Sequence, residues 1–470
     1  MNSPRLYFPD LLLADGQAHR DLGLLVDEHG LVAGTASRAS APAGVELVPL
    51  PGRALLPGLA NAHSHTFQRL FRGRAEGRAA GGDTFWTWRE QMYRAAGFVS
   101  PEDVYDVARA TFLEMVCSGI TAVGEFHYLH RDLDGKAYAD PNLLSRQVIA
   151  AAQSVGLRIC LLRTAYFRAG FQRELHPGQR RFYERPDDYR RNLEDLATSC
   201  AGMDGVTVGA APHSIRAVPL QDLMEIAEFA QSRKMPLHTH ISEQVGENAA
   251  CEAEYGSTPV TLLAGHGVLD PHATLIHAIH LTETELELVA QAGATICSCP
   301  TTERNLGDGI FPADTAARLG IRVAFGTDSQ AQIDLLEDAR QLEYHLRLRD
   351  QQRGILDASA RSDWASAEPI GQALFRSASR NGYEALGLAC GELAVGQPAD
   401  FFTVDLNDLS ILGADVDSLA SQAVFALAKS AVRDVAVQGK MILQDGHHGF
   451  ENEIREQYRG VQRRYQNNQA

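Results

Sequence analysis

The chain has 470 residues, 45% of them hydrophobic, with 43 basic against 59 acidic side chains and a net charge of -16. That balance argues against nucleic acid or an anionic membrane as a partner and leaves a small molecule as the expected ligand. The length exceeds one average domain and suits a large α/β barrel with an accessory domain, with ample apolar content for its core.

Residues 1–53 carry short apolar runs, Leu11 to Leu13, Leu22 to Val26 and Val45 to Leu50, broken by Asp15-Gly16, Glu28-His29-Gly30 and Pro51-Gly52. They read as strands with tight turns. No apolar core of signal-peptide length opens the chain, and no run reaches about 18 apolar residues, so a soluble cytoplasmic protein is expected. The cysteines at 117, 160, 200, 251, 297, 299 and 390 are odd in number and scattered, which speaks against a disulfide framework.

From residue 54 the pattern changes to apolar strand followed by amphipathic helix. Candidate strands run from Ala54 to Ala62, Ile120 to Phe126, Leu157 to Leu162, Val206 to Ala211, Pro236 to Ile241, Ala273 to His277, Ala294 to Cys299 and Arg322 to Gly326. A helix is expected over Pro101 to Cys117, capped by Ser100 with proline at its first position. Thr282 with Glu285 forms a capping box for a helix stopping at Gly293. Eight strands alternating with helices indicate a (β/α)8 TIM-type barrel over residues 54–389. An open doubly wound sheet is the alternative, but no Gly-x-Gly-x-x-Gly follows the first strand.

The insertion from Thr66 to Val99 holds Phe85-Trp86-Thr87-Trp88-Arg89, an aromatic cluster expected to pack onto the barrel with Arg89 reaching its mouth. At the far end Phe401 to Val404, Val432 to Val437 and Met441 to Leu443 are β-like, with a hairpin turn at Gln438-Gly439-Lys440. Residues 1–53 and 390–450 are therefore expected to build one small β-sandwich domain, with 451–470 a polar helix or tail. Apolar helices outside the barrel, such as Leu419 to Ala428, leave room for a homodimer.

Barrel chemistry stands where strands end. The first strand ends in His63 and His65, whose spacing puts both on one face. The fifth offers His238, His240 and Glu243, the sixth His277, and the eighth Asp328 and Ser329. One His-x-His pair is often accidental; ligand-type residues at four strand ends of one rim are not. His63, His65, His240 and Asp328 suit one divalent ion, zinc or iron, with a position left for water. His238 is expected to lie deeper, and His280 to be a loop residue. An ion held this way lowers the pKa of bound water to about 7 and makes hydroxide available. Asp328 can take the water's proton, His277 can steer it, and Glu243 can carry a proton to a departing nitrogen. That is hydrolytic attack on an sp² carbon.

The Pro57-Gly58 entry to His63-x-His65, His240 with Glu243, His277, and Gly326-Thr327-Asp328 together resemble the amidohydrolase superfamily, in its branch of one-metal aminohydrolases. The resemblance covers nearly the whole chain, including the re-entry at Gly391 to Asp400. Two-metal members carry a carboxylated lysine at a middle strand's end. Neither Lys136 nor Lys234, nor Lys429 or Lys440, stands there, which implies a single metal. Phe85 to Glu90, Gly124 to Tyr128, Ala211 to Arg216 and Pro300 to Gly309 narrow the resemblance to members that act on N-formimino-L-glutamate. This implies its hydrolysis to N-formyl-L-glutamate and ammonia. A dicarboxylate with a cationic head wants positive forks at one end and carboxylates near the metal. Arg89 and Arg216 are candidate clamps, with Gln68, Tyr128, His213 and Ser329 as further substrate contacts; Arg304 is a weaker clamp, with Glu303 its expected partner. The rival readings are a guanine- or thioadenosine-type deaminase, imidazolonepropionase, and a catalytically inactive barrel scaffold.

Overall fold

The computed structural model describes residues 3–77, 85–173, 175–359 and 361–468. The chain opens with β1 (Arg5–Ala14), β2 (Gln17–His19), β3 (Gly23–Val26), β4 (Val32–Ala36) and β5 (Glu46–Pro57). Eight barrel strands follow: β6 (Leu59–Ser64), β7 (Ile120–His127), β8 (Arg158–Ala165), β9 (Val206–Pro212), β10 (Leu237–Ile241), β11 (Ala273–His277), β12 (Thr295–Ser298) and β13 (Arg322–Phe325). β14 (Phe401–Asp405), β15 (Val432–Val437) and β16 (Lys440–Leu443) return to the first group. Both chain ends thus form one mixed eight-stranded sheet, in the order β16-β15-β14-β5-β1-β3-β4 with β2 on β1.

β6 to β13 pair in parallel in sequence order, and a parallel bridge from Ser64 to Asp328 joins the last to the first. These strands are buried along almost their whole length. This is why they read as apolar runs and not as alternating patterns: helices cover the outside and side chains fill the inside.

The apolar run from Ala54 to Ala62 is divided between two sheets. Up to Pro57 it belongs to β5, parallel to β1 and antiparallel to β14; from Leu59 it belongs to the barrel. Gly58 allows the change, because a Cβ there would lie 2.2 Å from Thr121 Oγ1. Hydropathy does not distinguish the halves, since both are buried.

Helix boundaries follow local chemistry. Ser100 and Asp103 close a capping box on Pro101–Val116, and Thr282 and Glu285 do the same on Glu283–Ala292, which ends on Gly293 at φ 67. Glu451–Asn467 is a helix that buries Ile454, Val461 and Tyr465. In the insertion, Phe85–Ala96 is helical and Trp88 meets Phe71 edge to face at 5.6 Å. The side chains of Phe85, Trp86 and Thr87 lie outside the described ones. All seven cysteines are free, and no described helix is long and apolar enough to cross a membrane.

Candidate metal centre and cleft

Gly326 brings the end of β13 against β6: a Cβ at this position would lie 2.6 Å from that of His63. Immediately beyond, the barrel closes on backbone bonds between the residues of interest. Asp328 N–H donates to the His63 carbonyl, and His65 N–H to the Asp328 carbonyl, both at 3.0 Å. A buried polar chain backs this seam. Asn61 Nδ2 donates to Thr327 Oγ1 at 2.7 Å, Thr327 donates to Gln330 Oε1 at 2.9 Å, and Gln330 Nε2 donates to Ser64 Oγ at 2.8 Å. Ser64 in turn donates to Glu125, which also accepts from the backbone N–H and hydroxyl of Thr66, both at 2.7 Å. Glu125 therefore grips both neighbours of His65. Burial pushes its carboxyl up to about 7 against those hydrogen bonds.

His63, His65, His240 and Asp328 each bring one donor atom within 4.8 Å of the others, all four buried. His63 and His65 place Nε2 3.3 Å from Asp328 Oδ1. His65 Nδ1 is held by the Phe126 carbonyl at 2.9 Å and His240 Nδ1 by the His213 carbonyl at 3.2 Å, which fixes both tautomers and turns Nε2 inward. Burial pushes His63 down to about 3 and also lowers His65 and His240. Burial opposes ionisation of Asp328, but His63, His277 and His65 hold its carboxyl well below the ordinary carboxylate range. Three neutral imidazoles and one carboxylate are the protonation states a divalent cation requires. The wholly buried His63 ring makes no hydrogen bond among the described residues, an orphaned donor set that a metal bond would satisfy.

On the other side of Asp328, Oδ2 faces His277 Nε2 at 3.8 Å, and Glu243 Oε1 is 3.9 Å from the same nitrogen. Glu303 holds His277 Nδ1 at 3.3 Å. Burial lowers His277, yet Glu243, Glu303 and Asp328 outweigh it and keep the imidazole well above its usual value. His277 takes φ 70, Ala278 52, Ser242 50 and Asp328 44, left-handed conformations that cost non-glycine residues energy.

The cleft above is lined by Arg89, Arg216, Tyr128, His213 and Gln68 together with His65, His240, Glu243, His277 and Asp328. Gln68 Nε2 donates to Tyr128 Oη at 2.9 Å, and the His213 ring stacks on His240 at 4.7 Å. Burial opposes the charge on buried Arg216, but Glu247, Tyr166 and Glu243 favour it and the guanidinium is held above its usual value. Ser329 turns its hydroxyl to Thr302 at 3.0 Å and is not among the cleft-lining side chains. His238 lies deeper, on the Ala385 carbonyl at 2.8 Å, and His280 sits in the loop, on the Asp308 carbonyl at 2.9 Å. Arg304 pairs with Glu337 at 3.9 Å, which frees Glu303 for His277 and Cys299 N–H. The sequence pairs Glu303 with Arg304, and the structure turns it to His277 instead; Glu125, Glu247 and Tyr166 carry no functional expectation from the sequence. Glu125 lies inside the Gly124 to Tyr128 motif, which gives its presence but not its direction. A larger cavity around Trp364, at the start of β13, has no convergent imidazole and carboxylate set.

Residues 54–442 match the model of the amidohydrolase family. The chain is 38% identical to formimidoylglutamate deiminase of Pseudomonas aeruginosa over 94% of each chain. It is 27% identical to 5-methylthioadenosine/S-adenosylhomocysteine deaminase of Halobacterium salinarum, over 93% of this chain and 90% of the relative. Among solved structures, an amidohydrolase from Brucella melitensis superposes with a TM-score of 0.88 at 32% identity, covering 98% of this chain and 99% of that one.

Proposed function

The chain belongs to the amidohydrolase family and is a hydrolase acting on C–N bonds, and from that premise we propose that it hydrolyses N-formimino-L-glutamate to N-formyl-L-glutamate and ammonia, a step of histidine degradation. The observation that carries the substrate is the presence in one cleft of two arginines, Arg89 and Arg216, together with Glu243, Asp328 and imidazoles. A dicarboxylate with a cationic formimino head matches that set of charges, and a flat neutral purine does not. His63, His65, His240 and Asp328 would hold one divalent ion, zinc in this reading, which when bound supplies Lewis acidity and acidifies a water.

The chain's own groups do the rest. Arg89 and Arg216 clamp the two carboxylates, while Gln68, Tyr128 and His213 orient the substrate by hydrogen bonds. Asp328 takes the attacking water's proton at Oδ2, the oxygen turned away from His63 and His65. His277 Nε2, between that oxygen and Glu243, steers the water toward the formimino carbon. Glu243 delivers a proton to the amino group, which departs as ammonia. Glu303 positions His277 and does not touch the substrate.

Ammonia release from N-formimino-L-glutamate, guanine and methylthioadenosine, with metal content measured on the same sample, tests the scheme. Release from the first alone, with one ion per chain, is expected. Glu243→Ala or Asp328→Ala should abolish turnover in protein that stays folded. Purine deamination overturns the substrate, and a near wild-type rate in either variant overturns the proton roles.

A further inference from the structure

Asp328 presents two faces. Oδ1 is 3.3 Å from Nε2 of His63 and of His65, whereas Oδ2 turns to His277 Nε2 at 3.8 Å. A thiol stands near this pair. His277, Cys299 and Asp328 each offer one donor atom within 4.8 Å of the others, and all three residues are buried. We propose that this trio is a second cation site, selective for a soft divalent ion such as Cd2+ or excess Zn2+, whose occupation inhibits the enzyme.

Three features support it. His277 Nδ1 is engaged by Glu303, so loss of the ring's second proton frees the lone pair at Nε2, which lies 3.8 Å from Asp328 Oδ2. Donors around a tetrahedral ion with bonds of about 2.0–2.3 Å stand roughly 3.5 Å apart, so side-chain rotations that close the gaps by about an ångström complete the set. A mixed nitrogen, oxygen and thiolate set selects zinc and cadmium over magnesium or calcium. Coordination displaces the Cys299 thiol proton and one proton of the charged His277 ring, and both leave to solvent; no redox change occurs. Inhibition follows because the ion engages His277 and Asp328, the two residues assigned to steering the water and taking its proton. The site rests on the first-ion assignment because Asp328 is shared.

The test starts from protein carrying one zinc ion and adds Cd2+, following ammonia release, bound metal and the ultraviolet thiolate-to-cadmium absorption. One further equivalent, the absorption band and roughly tenfold or greater loss of activity are expected. C299S and C299A, checked for folding by circular dichroism, should lack the band and need roughly tenfold or more Cd2+ for equal inhibition. C117S, which removes the most exposed thiol, should keep both. Protein that takes up no first ion overturns the first-site assignment. Uptake of one ion with no thiolate band, or a band and inhibition that survive in both Cys299 variants, overturns the second site alone. A band without loss of activity overturns its inhibitory role.

Discussion

Arg216→Met removes the buried guanidinium while keeping most of the side chain's volume. If Arg216 clamps a carboxylate, the loss is that of a hydrogen bond between charged groups, about 1.5–3 kcal/mol. At about 1.4 kcal/mol per factor of ten, kcat/KM for N-formimino-L-glutamate should fall roughly 12- to 140-fold. The folding cost is contained by a neighbour. Burial already pushes Glu247 up to about 7 in spite of Arg216, so without the guanidinium this carboxyl takes a proton near neutral pH and is not left as an unpaired buried charge. The assay compares kcat/KM for the dicarboxylate with that for an uncharged N-alkyl formamidine, with bound metal measured in parallel. The formamidine rate should stay within about threefold of wild type, because binding lost at a remote carboxylate is absent from both proteins. Equal losses on both substrates, or no loss on the dicarboxylate, would refute the clamp.

Two further outcomes follow from groups outside the cleft. Glu125→Gln turns an acceptor into an amide donor facing Ser64, whose oxygen already accepts from Gln330, so the grip on the His65 segment weakens; metal affinity, read by chelator competition, should drop about 10- to 100-fold, and unchanged affinity would detach this chain from the site. Burial, with Arg163, pushes His130 down to about 4 against Glu184 and the Thr164 carbonyl, whereas the unfolded ring titrates near 6.5. Its contribution to stability is therefore complete above pH 6.5 and lost as pH falls through about 4, a loss of about 3 kcal/mol at about 1.4 kcal/mol per pH unit. His130→Gln can still donate to Thr164, so denaturant titrations at about pH 7 and pH 4 should show a shallower acid slope in the variant, and identical slopes would refute the assignment.

The barrel was legible because its signals are local and redundant: eight apolar runs, helix caps at Ser100 and Thr282, and ligand-type side chains recurring at strand ends. The candidate ligands emerged by the same logic, since a histidine or aspartate closing a buried strand has few bland explanations once several share a rim. What stayed hidden depends on tertiary aim. Glu303 is one turn into a helix beside an arginine, and the sequence favours their pairing; the helix direction sends Arg304 to Glu337 and turns Glu303 under His277. Ser329 follows a candidate ligand directly, yet its hydroxyl turns to Thr302. Neither orientation is encoded by spacing.

The left-handed backbone at Ser242, His277, Ala278 and Asp328 was equally invisible, since none of these residue types announces it. Such conformations cost on the order of 1–3 kcal/mol each and persist only where the surroundings over-determine them. At Ser242 and Ala278 the surroundings are bonds between neighbouring strand ends, from His280 N–H to the Ser242 carbonyl and from Ala278 N–H to the Ile241 carbonyl; at Asp328 they are the barrel's own closure. Asp328 exchanges backbone bonds with His63 and His65 while the chain from Asn61 to Glu125 locks the same segments from behind. The bonds that shut the cylinder are thus the ones that aim three of the four candidate ligands, and none of them requires an ion. A preformed centre follows: folding supplies the ligand geometry, and a cation entering it need not order the loops around it.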